Sequence, residues 1–170
     1  MSGTTSDTAA LPRNIAEFLV RSEIGYRVVA HASLSAPVRG PDDVARLLPI
    51  AIDRIAKTLF VVGGIDRTSS ALVVVPVRDN VELAVTATAM GWQTAALATR
   101  AELSERIGQQ PFGVSPLAAP HGVTVLVDVR LASGAPVLVG AGVSGLEVEI
   151  DPSDLVRSTG AVVAGFGVDR

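Results

Sequence analysis

The sequence predicts a single α/β domain built on a mixed β-sheet, and three observations predict it. Short apolar runs such as Leu72-Val73-Val74-Val75 alternate with segments of helical periodicity. Several late strands adjoin without a helix between them, which points to a mixed sheet rather than a pure βαβ array. At 170 residues, with 48% hydrophobic content and a mean hydropathy of +0.45, the chain is long and apolar enough to bury a core. No repeat or linker divides it, so residues 11–170 are expected to form one domain behind a flexible tail of residues 1–10.

The elements follow in order. From Asn14 to Glu23, Ile15, Phe18 and Leu19 recur at helical spacing, and Gly25 ends the run. Tyr26 to Ala30 is a strand. Pro41 opens the next helix, with Asp42 and Asp43 facing the positive end of its dipole; Val44, Leu47 and Leu48 form its apolar side and Pro49 stops it. Ile55 to Val62 is a strand, and Leu72 to Val77 is another, in which Pro76 marks an edge or a strand end. Val81 to Met90 is helical in pattern and stops at Gly91. Thr99-Arg100-Ala101-Glu102 fits a capping box for a helix that closes at Gly108. Strands are expected over Val123–Asp128, Pro136–Val139 and Leu146–Ile150, and Asp151-Pro152-Ser153-Asp154 starts a last short helix.

Composition excludes several classes of function. The absence of cysteine removes disulfides, thiolate nucleophiles and Cys-ligated zinc. Two histidines, His31 and His121, make a histidine-rich metal site an unfavoured reading, and no metal or cofactor is expected. A net charge of −3 leaves no broad basic surface, so a nucleic-acid partner has to be gripped locally. No apolar run approaches the ~18 residues of a membrane span. The first ten residues lack the basic start of a signal peptide, and a cytoplasmic location is expected.

Two motif matches are decoys. Gly140-Ala141-Gly142-Val143-Ser144-Gly145 spells the dinucleotide-binding pattern, which requires a helix to begin there. Leu146-Glu147-Val148-Glu149-Ile150 alternates like a strand instead, so a glycine turn between strands is the better account. Ser115, His121 and Asp128 supply the residue types of a hydrolase triad, but no nucleophile elbow surrounds Ser115.

Lys57 stands apart. It is the only lysine among 14 Lys and Arg residues, and it lies in Ile55-Ala56-Lys57-Thr58-Leu59-Phe60-Val61-Val62, apolar on both faces. An ammonium buried there without compensation costs several kcal/mol, on the order of an ion's desolvation. Lys57 therefore meets an anionic partner or opens into a cleft, unless it snorkels from a strand end to water. Arginine supplies the generic positive charge in this chain, which favours a special role for a slim point charge. A second candidate is Gln110-Pro111-Phe112-Gly113-Val114-Ser115-Pro116, a proline-stiffened loop whose amides can face a developing oxyanion or simply turn at the surface.

These features together resemble the YbaK family of aminoacyl-tRNA editing domains, which includes the inserted domain of bacterial prolyl-tRNA synthetases. The resemblance runs from about His31 to the C-terminus. It rests on Ile55-Ala56-Lys57-Thr58-Leu59, Val73-Val74-Val75-Pro76, Gly113-Val114-Ser115-Pro116-Leu117, Val125-Leu126-Val127-Asp128 and Gly142-Val143-Ser144-Gly145-Leu146-Glu147-Val148-Glu149-Ile150 before Pro152. It implies a mixed sheet or partial barrel flanked by helices. It also implies hydrolysis of the ester joining a wrong amino acid to the tRNA 3′ end, of the Cys-tRNA(Pro) or Ala-tRNA(Pro) class, with an aminoacyl-tRNA synthetase as a further partner. By resemblance, Lys57 grips the substrate near the terminal adenosine, and the loop around Gly113, Val114, Ser115 and Pro116 offers backbone contacts. Thr58, Gly140 and Gly142 border the substrate, and His31 and Asp128 support the site. The chemistry implied is substrate-assisted, which suits a chain with no convincing triad or thiol.

Two positions depart from the family pattern. Phe112 stands where the family's G-x-x-x-P loop begins with glycine, so its ring either narrows the amino-acid pocket or blocks it. Gly140 stands where cysteinyl-editing relatives often carry serine. The leading expectation is a trans-editing deacylase. Its alternative, motivated by Phe112, is a catalytically silent module that binds a nucleotide, a tRNA end or a protein.

Overall fold

The computed structural model describes residues 10–169; residues 1–9 of the expected N-terminal tail lie outside that range. In chain order the elements are helix α1 (Arg13–Arg21), strand β1 (Tyr26–Ala30), helix α2 (Pro41–Leu47) and strands β2 (Ala56–Gly63), β3 (Ser69–Pro76) and β4 (Asn80–Val81). Then come helix α3 (Leu83–Met90), strand β5 (Ala95–Leu97), helix α4 (Arg100–Ile107) and strands β6 (Thr124–Asp128), β7 (Val137–Gly140) and β8 (Leu146–Ile150). Helix α5 (Pro152–Thr159) and strands β9 (Val162–Ala164) and β10 (Gly167–Val168) complete the fold.

The larger sheet has the order β5-β2-β3-β6-β9. Its β5–β2 and β2–β3 pairs are antiparallel, whereas β3–β6 and β6–β9 are parallel, so the sheet is mixed as expected. Both faces are covered. Ile15 and Leu19 of α1, Leu103 of α4 and Leu155 of α5 join the core that includes Phe60, Val62, Leu72, Val74 and Val125. Val61, Ala71, Val73, Val75 and Leu126 project to the other side and meet Phe166, Leu83 and Trp92. Period-2 alternation thus explains why both sets in β2 and β3 are apolar.

A second, antiparallel sheet has the order β1-β8-β7. It approaches the first where Ile55, just before β2, forms a parallel bridge with Leu138 of β7. The outer edge of β2 is therefore held at its start by β7 and at Val61–Gly63 by β5. Between these two clamps the edge opens. The Ala98 amide still donates to the Phe60 carbonyl at 2.9 Å, so by alternation Thr58 and Ala56 direct their backbone groups to that same edge. Neither β5 nor β7 extends to pair with them.

The structure corrects several boundaries. Pro76 ends β3, but β3 is the central strand of its sheet; the proline is tolerated because it sits at the last paired position, opposite Ala56. The helix expected from Val81 begins at Leu83, because Asn80 and Val81 pair with β10. Strands β5, β9 and β10 were not legible at all: each has two or three residues, too few to display a period.

Candidate active site

The open edge of β2 forms one wall of a cavity of about 420 Å³. Ala56 to Phe60 supply that wall; Leu97 to Arg100 and Leu103 a second; Pro111 to Val114 a third; Gly140 and Glu147 close it from the smaller sheet. Lys57 is half-buried between the buried Ala56 and Thr58, and it lines this cavity. The strand geometry thus opens Lys57 into a cleft.

Thr58 is 6% exposed, and its hydroxyl has no hydrogen-bond partner among the described residues. A buried hydroxyl left in that state costs roughly 1–3 kcal/mol.

The loop after α4 is held through its backbone groups by the Gln109 side chain and by Gly142. The Ser115 amide donates to Oε1 of Gln109 at 2.9 Å, and the Gly142 amide donates to the Gly113 carbonyl at 2.7 Å. Gly113 has φ +110, and a Cβ there would lie 2.5 Å from the Val143 carbonyl oxygen. Gly140 is a glycine for a related reason, since a Cβ would come within 2.4 Å of the Val114 carbonyl oxygen. The close approach at Gly140 is therefore made by the protein's own loop rather than by a substrate. Gly142 likewise serves the loop's anchorage, with φ +90 and its amide engaged.

Phe112 does not fill the cavity. Its backbone is left-handed at φ +64, and the residue is 81% exposed at the cavity's border. A bulky L-residue in this region carries strain of order 1–3 kcal/mol, sustained here by the anchored glycine beside it. Of the two expectations for the ring, blocking the pocket is corrected; Phe112 remains among the residues that line it.

The remaining predicted residues lie elsewhere. Ser115 is fully buried, its amide committed to Gln109 and its Oγ accepting from the Leu117 amide at 3.1 Å; Pro116 is buried beside it. Neither lines the cavity. Asp128 lies at the end of β6, where it accepts from Arg130 Nε at 2.8 Å and from the Gly167 amide at 2.7 Å. Burial pushes its carboxyl up, but the Arg130 and Gly167 hydrogen bonds outweigh this and hold it below the usual range. Asp128 is a structural clasp. The decoy triad is absent as geometry, for Ser115 and Asp128 are engaged in these separate networks and His121 is exposed.

His31 reaches the cavity only through a residue that the sequence did not single out. Its Nε2 lies 2.8 Å from Oε2 of Glu147, and Glu147 lines the cavity. Burial raises the Glu147 carboxyl above its ordinary value, with the His31 hydrogen bond opposing that rise. Glu147 sits opposite Val29 and Gly140 in the middle strand of the smaller sheet. Arg100 and Leu97 are also new. Arg100 was visible only as the second residue of the capping box.

A family model described as an aminoacyl-tRNA editing domain matches residues 35–158. The chain belongs to this family. The editing domain's fold recurs in solved structures. A hypothetical protein is 28% identical, with a TM-score of 0.79, covering 92% of this chain and 100% of its own. A candidate trans-editing enzyme for prolyl-tRNA synthetase is 24% identical, with a TM-score of 0.78, covering 92% and 96%. A computationally designed epitope scaffold is 21% identical, with a TM-score of 0.77, covering 93% and 97%. Among the described residues, no helix of this editing domain is long and apolar enough to cross a membrane.

Proposed function

We propose that this editing domain is a cytoplasmic trans-editing deacylase. It hydrolyses the ester between a wrong amino acid and the 3′ end of tRNA, with Cys-tRNA(Pro) and Ala-tRNA(Pro) as its substrate class. The observation that carries the reading is the half-buried Lys57 on the open edge of β2, inside a cavity that also presents the Glu147 carboxylate. An aminoacyl-tRNA end offers matching chemistry: phosphate and ribose oxygens for the ammonium, and an α-ammonium for the carboxylate. The fold shared with the candidate prolyl trans-editing enzyme supports the prolyl assignment, and it makes prolyl-tRNA synthetase the first partner to test.

In this mechanism Lys57 anchors the terminal phosphate or ribose and neither takes nor donates a proton. Water adds to the ester carbonyl, and its oxygen forms the new C–O bond. The ester C–O bond then breaks, and a proton passes from the attacking water to the departing ribose oxygen, assisted by the neighbouring ribose hydroxyl. The Gly113 and Val114 amides steady the oxyanion; the Ser115 amide is already engaged by Gln109. Because the ester is activated, positioning suffices without a side-chain nucleophile.

The silent-module alternative drew its support from a plugged pocket, and the exposed ring of Phe112 removes that support. The test is deacylation of cysteinyl- and alanyl-tRNA(Pro) and a wider mischarged panel, beside correctly charged prolyl-tRNA. Hydrolysis of at least one mischarged species with sparing of the correct one is the expected result. Inertness toward the whole panel overturns the proposal.

A further inference from the structure

Phe112 is expensive to keep and contributes nothing to the core. It holds a left-handed backbone, φ +64, that glycine would adopt freely, and 81% of it faces solvent. The loop cannot relax inward, because Gly113 already abuts the Val143 carbonyl and its own carbonyl is bonded by Gly142. The ring is thus presented on a rigid support. The same cavity is also lined by Leu97, 51% exposed, and Arg100, also exposed. Arg100 occupies the first position of α4, where the helix dipole disfavours a cation. It makes no ion pair among the described residues. Lys57 lines the cavity that these side chains surround.

We propose that Phe112 is the stacking platform for the terminal base of the tRNA 3′ end, and that Arg100 takes a backbone phosphate next to it. The inference rests on the editing reading and names a positioning contact of that same site. An aromatic face with adjacent cations is the combination that holds single-stranded nucleic acid: the ring takes the base's π-face and the guanidinium takes the phosphate. A chain of net charge −3 with 4% aromatic residues has to make such a grip locally. A ring fixed beforehand also loses little freedom on binding, so the 3′ end arrives already oriented toward Lys57.

The test is a double-mutant cycle on binding. A 5′-labelled, uncharged RNA hairpin mimicking the acceptor stem is titrated by fluorescence anisotropy in two forms, one ending in CCA and one with the terminal base removed. Wild type and Phe112→Tyr are expected to prefer the intact end about 5- to 150-fold, the range for stacking one base. Phe112→Ala and Phe112→Leu are expected to bind both forms alike. Arg100→Ala is expected to keep the preference but reduce the salt dependence of log K by about 0.7, the value for one phosphate of a single strand. The proposal is overturned if wild type ignores the base, or if Phe112→Leu discriminates as well as wild type. The latter result marks the ring as a generic apolar contact, such as one for a protein. Deacylation measured in parallel separates the two claims. Hydrolysis without base discrimination removes the stacking role alone, whereas discrimination without hydrolysis removes the editing reading alone.

Discussion

Glu147 shows what the sequence conceals at the level of single residues. Within Leu-Glu-Val-Glu-Ile it reads as the wet face of a strand, and Glu149 fits that reading by pairing with exposed Arg27 at 2.9 Å. Glu147 differs in its surroundings: it is hydrogen-bonded to His31 and lines the cavity. Lys57, by contrast, was legible, because a lone lysine in a strand apolar on both faces demands an explanation. Phe112 was noticed for its size, but its direction depended on a positive φ that no residue pattern announces. The raised Glu147 carboxyl yields a prediction. If its ionised form receives the substrate's ammonium, kcat/KM falls as pH drops through its raised pKa, so the acid limb begins at a higher pH than for an ordinary carboxylate. His31, hydrogen-bonded to it, and Lys57, in the same cavity, are the other titratable groups to account for. Glu147→Gln is expected to raise KM and shift or abolish that limb in a pH–rate profile. An unchanged profile removes Glu147 from substrate binding.

Among the elements, helices with punctuation were the easiest to read. The capping box forms as the sequence predicts: the Glu102 amide donates to Thr99 Oγ1 at 3.2 Å and the Thr99 amide to Glu102 Oε2 at 2.7 Å. Asp151 caps α5 by accepting from the Ser153 amide at 2.8 Å. Short strands were illegible because long-range pairing creates them; β5 exists because β2 offers it an edge at Val61–Gly63. That pairing matters to function, since it sets where the open edge begins. Helix α4 contributes Arg100 and Leu103 to the cavity, so its N-terminal geometry reaches the site. Thr99→Ala is expected to lower global stability by about 0.5–2 kcal/mol, the usual cost of losing an N-cap. Urea denaturation checks this, with the midpoint falling and the slope unchanged.

For the molecule as a whole, acid sensitivity follows from carboxylates that the fold keeps ionised. Arg67, followed by the Thr99 amide, lowers Glu102 to about 2. Asp128 is held low within a clasp in which Arg130 also binds Asp79, joining the end of β6 to the turn after β3 and to β10. A carboxylate depressed in the folded state adds stability above its unfolded pKa, and that stability is lost as pH falls through the folded value. Glu147 has the opposite sign: its raised pKa favours the fold below the unfolded value, and that contribution is lost as pH rises. The depressed groups outnumber it, so Tm is expected to fall steadily from about pH 4.5 toward pH 2, the window between an unfolded glutamate and folded Glu102. Glu102→Gln is expected to flatten that decline. A variant that declines as steeply as wild type contradicts the assignment. The α/β class and mixed sheet were readable at this scale from interleaved patterns. The separation of the three-stranded sheet from the five-stranded one was not, because a single bridge between Ile55 and Leu138 marks where they meet.

The central claim is that Lys57, on the open edge of β2, holds the 3′ end of an aminoacylated tRNA for hydrolysis. Its most direct test is single-turnover deacylation of the preferred mischarged tRNA by wild type and Lys57→Ala, with matching circular dichroism and melting curves to show that both are folded. The account predicts a loss of about 30-fold or more in kcat/KM, roughly the 2–5 kcal/mol that follows loss of one partner from a charged contact held out of water. Full activity in a folded Lys57→Ala protein contradicts it.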